Sequence, residues 1–92
     1  MNKKIFSIRK KLDKLDDLFL NLVKKRTKLV NQVLSNKRYK SEIVDKKRIK
    51  VILNTISKKS KIKKIDPIVT KKIWISMIRA FIDYEYRNFK KK

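Results

Sequence analysis

Residues 8–37, IRKKLDKLDDLFLNLVKKRTKLVNQVLSNK, run for thirty positions without a Gly or a Pro. Ile8, Leu12, Leu15, Phe19, Leu22, Leu29, Val30 and Val33 recur at three- and four-residue spacing, interrupted where Arg26 falls. The spacing predicts one amphipathic helix roughly 45 Å long, with Ser7 as its N-cap and Asn36 weakening its far end. An apolar stripe of that length exceeds what a 92-residue monomer can cover. The pattern therefore predicts pairing with the same helix of a second copy.

The cations on this stretch constrain any site. Arg26 and Lys37, eleven apart, fall within about 20° of one helix face and roughly 16 Å apart along it. Two extended basic side chains at that separation can close on one small dianion. Arg9 precedes Arg26 by roughly 25 Å of straight helix and cannot reach the same ligand. A site that uses all three must take one of them from another chain.

Charge alone suggests a different partner. The net charge of +21 would draw nucleic acid through counterion release. Yet 23 of the 29 basic residues are Lys and only six are Arg, and Ile and Asn are abundant too, as AT-rich codon usage produces. Most lysines then read as solvated surface, and Phe19, Trp74 and Phe81 lie on apolar stripes rather than between lysines as a stacking platform. The scarce arginines carry the information, because a guanidinium fork matches a carboxylate and an ammonium does not. A basic helical dimer that binds nucleic acid is kept as the alternative of another class.

The chain has no Cys, no Gly and no His. Disulfides, metal-thiolate sites and glycine phosphate loops are excluded, and the commonest general base and metal ligand is missing. No metal and no cofactor are expected. The apolar run near the N-terminus is only Ile5-Phe6, too short for a signal peptide, and no window approaches the roughly 20 apolar residues of a spanning helix. A soluble cytoplasmic protein is expected.

Residues 38–44 break the periodicity and read as a connection, with Asp45 as N-cap of a second helix over about 46–59 that carries Ile49, Ile52, Leu53 and Ile56 on one face. The run KKSKIKK reads as a charged connector. Asp66-Pro67, a cap followed by proline at the first helical position, opens a third helix to about Phe89. Its inward face is expected to hold Val69 or Thr70, Ile73, Trp74, Met77, Ile78, Phe81, Ile82 and Tyr86. The expected architecture is all-α, with a long, a short and a long helix forming one domain over 1–92, frayed at 1–6 and 90–92.

The ordered set Arg9, Asp13, Asp16, Phe19, Leu22, Arg26 and Lys37 on one helix, then Asp45-x-x-Arg48 and Ile65-Asp66 opening the next two, resembles the all-α, AroQ-type chorismate mutases over roughly residues 7–89. The resemblance implies an interlocked homodimer with two identical sites, each taking one N-terminal arginine from the partner. By position Arg9 is that arginine. Arg26 and Arg48 match the arginines supplied within the chain, and Lys37 matches the lysine at the ether oxygen of the breaking C–O bond. Asp45 matches a polar residue at the start of the second helix, and Glu85 matches a Gln or Glu facing the same oxygen. The implied activity is the rearrangement of chorismate to prephenate in the shikimate pathway to the aromatic amino acids, with no cofactor.

These residue types suit that chemistry. A unimolecular pericyclic step on a dicarboxylate needs no nucleophile. It needs its carboxylates held in the reactive conformation and charge stabilised on the ether oxygen. Glu85 follows Phe81 by four and Ile78 by seven, so it projects from an apolar stripe, where lost hydration favours the protonated form. A neutral carboxyl can donate to the ether oxygen, whereas an ionised one repels the growing charge. The protonated form is expected to be active unless Lys37 holds Glu85 ionised. The plainer alternative is a helix-end carboxylate that reaches solvent or pairs with a Lys.

Two positions depart from the mutases. Ile49 stands where many carry a Glu for the substrate's ring hydroxyl, and Phe81 stands where Ser or Thr is frequent. Both resemble the isochorismate-pyruvate lyases of the same fold, while Asp45 points back to the mutases. Losing one buried acceptor costs on the order of 1–3 kcal/mol, which weakens chorismate binding without forbidding turnover. Salicylate formation from isochorismate is the runner-up activity.

Overall fold

A computed structural model describes residues 2–90. Helix α1 spans Lys3–Ser35, a short 3₁₀ turn spans Lys40–Glu42, α2 spans Lys46–Ile62 and α3 spans Pro67–Asn88. Among the described residues there is no strand, and no helix is long and apolar enough to cross a membrane. The long, short and long helices expected from the sequence are present, with boundaries that differ in three places for local reasons.

The first is the start of α1. Ser7 lies inside the helix, and the cap is Asn2, whose Oδ1 accepts from the Lys4 N–H at 2.8 Å while its carbonyl accepts from the Phe6 N–H. Residues 3–6 are therefore helical rather than frayed. Met1 of the expected N-terminal fray, and Lys91 and Lys92 of the C-terminal one, lie outside the described residues. Asn2 outcompetes Ser7 because the helical pattern extends back through Ile5 and Phe6, so the earlier cap satisfies donors without shortening the helix.

The second is the end of α1. The helix stops at Ser35, and Asn36 and Lys37 close back by three residues, donating to the carbonyls of Val33 and Leu34. Lys37 thus sits two residues past the helix, at the end of its tightened exit turn. The eleven-residue face argument for Arg26 and Lys37 holds only as far as Ser35.

The third is the end of α2, which continues through the expected KKSKIKK connector to Ile62. Buried Ser60 explains the extra turn. Its hydroxyl donates to the Ile56 carbonyl at 2.6 Å and meets the Thr70 hydroxyl of α3 at 2.7 Å. The helix then ends in a Schellman motif: the Ile65 N–H donates to the Ser60 carbonyl at 2.8 Å and the Lys64 N–H to that of Lys61. Lys64 takes the left-handed position with φ 58°, a place usually given to the glycine this chain lacks.

Up to Gln32 and from Val33 onward the chain forms two compact units. The first holds α1 as far as Gln32. The stripe residues of α1, Ile8, Leu12, Leu15, Phe19, Leu22, Leu29 and Val33, are all exposed, and only Val30 of the expected set is half-buried. An exposed apolar stripe of this length is the informative departure from ordinary surface composition.

The second unit is a hairpin in which α2 packs on α3. Asp45 caps α2 by accepting from the Arg48 N–H at 3.0 Å, and Asp66 caps α3 by accepting from the Ile68 N–H at 2.9 Å. Trp74, Met77, Ile78, Phe81 and Ile82 are half-buried as expected, while Ile73 and Tyr86 are exposed. Of Val69 and Thr70 it is Thr70 that turns inward, because Ser60 waits there as its partner. Leu34 and Ile43 are the buried apolar residues of this unit, joined by buried Ser60, Thr70 and Glu85.

Candidate active site

Glu85 is 7% exposed on the inner face of α3, and its Oε1 accepts from Lys37 Nζ at 2.9 Å. A lysine just past one helix and a glutamate near the end of another, 48 residues apart, thus meet as a nearly buried ion pair. Folding places Lys37 there through the loop that follows it. Glu42 Oε1 accepts from the N–H groups of both Arg38 and Tyr39, which fixes the backbone directly after Lys37. Ile43, 3% exposed, anchors that loop in the core, and its carbonyl lies 3.5 Å from Lys37 Nζ.

The expected contact between Glu85 and Lys37 is present as an ion pair at 2.9 Å. The carboxylate lies on the apolar face as its spacing implied; of the plainer alternative, the pairing with a Lys is observed and the exposure to solvent is not.

Asp45 is close by. Lys37 and Asp45 line one surface depression of about 550 Å³, shared with Glu42, Val44, Lys46 and Lys47. One carboxylate oxygen of Asp45 is committed to capping α2, so this residue both caps the helix and lines the depression beside Lys37. Arg48 is exposed one turn into α2. Ile49 is half-buried and opens onto a different depression, the groove between α2 and α3. Phe81 is half-buried, one turn before Glu85, with its ring edge-on to Tyr84 at 6.3 Å between centroids.

Arg9 and Arg26 belong to the first unit. Arg9 is exposed and shares a depression of about 480 Å³ with Phe6, Lys10, Leu12, Asp13 and Asp16. Arg26 is half-buried, in keeping with its place in the interrupted apolar stripe.

Sequence reasoning missed three contributors: Glu42 as the brace of the loop, the Ile43 carbonyl as a second neighbour of Lys37, and the lysines at 46 and 47 in the wall beside it. A buried isoleucine in the otherwise polar RYKSEIV segment was the one available sign.

The arrangement offers a cation fixed by a carboxylate in a buried corner, with further cations on the surrounding wall. It can bind an anion and stabilise negative charge developing on an oxygen. A search of curated proteins and a search of solved structures return no match to the chain. The family model for chorismate mutase type II matches residues 8–86, from the first stripe isoleucine to the turn that holds Glu85. The chain therefore belongs to the chorismate mutase type II family, the all-α isomerases that rearrange chorismate to prephenate.

Proposed function

We propose that the chain performs this rearrangement as a homodimer with two shared sites. Each site is built from Arg26, Lys37, Asp45, Arg48 and Glu85 of one protomer and Arg9 of the other, and Ile49 and Phe81 supply apolar wall. The observation that carries the reading is the Lys37–Glu85 pair, a charge-assisted contact at a buried position inside the matched region. The arginines take the two substrate carboxylates by bidentate hydrogen bonds and select the conformer in which the C–C bond can form as the C–O bond breaks.

Lys37 carries three N–H donors. Glu85 takes one, so the ammonium can turn another to the ether oxygen as negative charge grows there. Fixed donors aimed at developing charge contribute typically 10²–10³ in rate. No covalent intermediate is required. The exposed stripe of α1 supports the dimer, since a second copy is the surface that would cover it. We assign the reaction to aromatic amino-acid biosynthesis in the cytoplasm.

Incubating purified protein separately with chorismate and with isochorismate tests the reading. Prephenate from chorismate, without salicylate and pyruvate from isochorismate, is expected. Salicylate and pyruvate as the main products would transfer the assignment to the lyase reaction that Ile49 and Phe81 resemble, and no product from either would overturn it.

A further inference from the structure

Glu42 is the only carboxylate between Asp17 and Asp45, and it stands on an exposed loop. Its Oε1 is directed onto the chain itself, accepting from the backbone N–H of Arg38 at 3.2 Å and from that of Tyr39 at 3.1 Å. These two N–H groups follow Lys37 directly. The Lys37 N–H still donates to the Leu34 carbonyl in the exit turn of α1. Arg38 and Tyr39 are thus the first donors after that turn, and a side chain five residues or fewer downstream takes both.

The brace also runs forward. Through the turn Lys40–Glu42, the Glu42 N–H donates to the Tyr39 carbonyl and the Ile43 N–H to the Lys40 carbonyl, both at 3.0 Å. Tyr39 is therefore held by Glu42 through its N–H and its carbonyl alike. The next residue, buried Ile43, presents its carbonyl 3.5 Å from Lys37 Nζ, whose nearer acceptor is Glu85 at 2.9 Å. The loop 38–43 closes on itself: Glu42 fixes the backbone that leaves Lys37, and the residue after Glu42 meets the head of the Lys37 side chain. A lysine head on its flexible four-carbon stem has no orientation of its own. With Glu85 and Ile43 on two sides, one of its three N–H donors remains for a ligand.

We infer that Glu42 is a positioning residue for the rearrangement, acting through Lys37. By holding the loop 38–43 closed it confines the Lys37 ammonium to the orientation that leaves a donor for the ether oxygen. This rests on the chorismate reading proposed above and adds to it a residue whose contacts are all to the loop. Glu42 also lines the depression that Lys37 and Asp45 share, so a direct effect of its charge on a dicarboxylate is the competing account.

Reach and charge can be exchanged separately. Glutamine keeps the reach and an oxygen with two lone pairs but carries no charge, whereas aspartate keeps the charge and is one methylene shorter. Purified Glu42→Gln and Glu42→Asp are assayed with chorismate for prephenate, and urea unfolding fixes the folded fraction of each under assay conditions. Glu42→Gln should keep kcat within about twofold of the wild type. Glu42→Asp should lose about tenfold in kcat, the scale of a misplaced donor, with KM within about twofold. The split arises because Lys37 answers charge that develops as the C–O bond breaks, while the arginines hold the carboxylates throughout. Glu42→Ala, which removes reach and charge together, should fall at least as far as Glu42→Asp at the same KM, and it replaces that variant if aspartate does not fold.

Wild-type kcat in Glu42→Asp and Glu42→Ala overturns the inference. So does a Glu42→Gln impaired as much as Glu42→Asp, or a change confined to KM, which would assign Glu42 the direct charge effect. Wild-type turnover with unaffected variants removes the role of Glu42 and leaves the catalytic reading standing. A wild type that forms no prephenate removes the catalytic reading itself, and this role with it.

Discussion

Lys37 Nζ and Glu85 Oε1 stand 2.9 Å apart in a nearly buried corner, an ion pair between residues 48 apart in the chain. In the proposed mechanism Glu85 holds one N–H donor of Lys37 and leaves the ammonium another for the ether oxygen of the substrate.

The pairing makes a prediction about positioning. Glu85→Gln keeps a hydrogen-bond acceptor for Lys37 and should retain part of kcat/KM, whereas Glu85→Leu leaves Lys37 without a side-chain acceptor and should lose most of it. Steady-state kinetics of the two variants check it, and equal activities would contradict the positioning role assigned to the pair.

The same pair has a stability consequence. Lys37→Met leaves a buried carboxylate without its partner and should cost about 3 kcal/mol. Lys37→Met combined with Glu85→Leu removes both charges and should recover most of that loss, although it has no activity. Urea unfolding of the wild type and the two variants measures the difference. Equal stabilities for the two variants would mean that the pair contributes no coupling.

Asp45 has a structural task that its match to the family conceals. Asp45→Ala loses the contact to the Arg48 N–H and should cost about 1 kcal/mol, while Asp45→Asn, which also caps well, should stay within about 0.5 kcal/mol of the wild type. Thermal melts of both variants give the comparison. A loss of activity in Asp45→Asn at unchanged stability would isolate the contribution of the negative charge to the site.

Lys64 holds a left-handed conformation that a side chain disfavours. Lys64→Gly should stabilise the hairpin by about 1 kcal/mol, which for a chain of this size raises Tm by about 4–8 °C. Lys64→Val, branched at the β-carbon, should lower it.

The helices were legible in the sequence because their signals are local. Asp45 and Asp66-Pro67 mark starts through hydrogen bonds made within three residues, and both are observed. The burial of Glu85 was legible too, since three- and four-residue spacing from Ile78 and Phe81 fixes its face. The misplaced boundaries had causes that lie outside the local pattern. The extra turn at the end of α2 depends on Ser60 meeting Thr70 across the hairpin, and a serine among lysines gives no periodic sign of that. Lys37 leaves the helix because the loop braced by Glu42 and anchored by Ile43 turns the chain there. The partner of Glu85 came from the family resemblance rather than from periodicity, since nothing in helical spacing relates two positions 48 residues apart.

The shared site is the central claim, and mixing two inactive chains tests it most directly. Arg9→Ala and Arg26→Ala should each abolish nearly all prephenate formation as homodimers. After subunit exchange, half of the dimers are mixed, and each mixed dimer has one site with both arginines, so about a quarter of wild-type activity should return. Verified exchange with no recovery, or full activity in either variant alone, would contradict the claim that Arg9 of one protomer completes the site of the other.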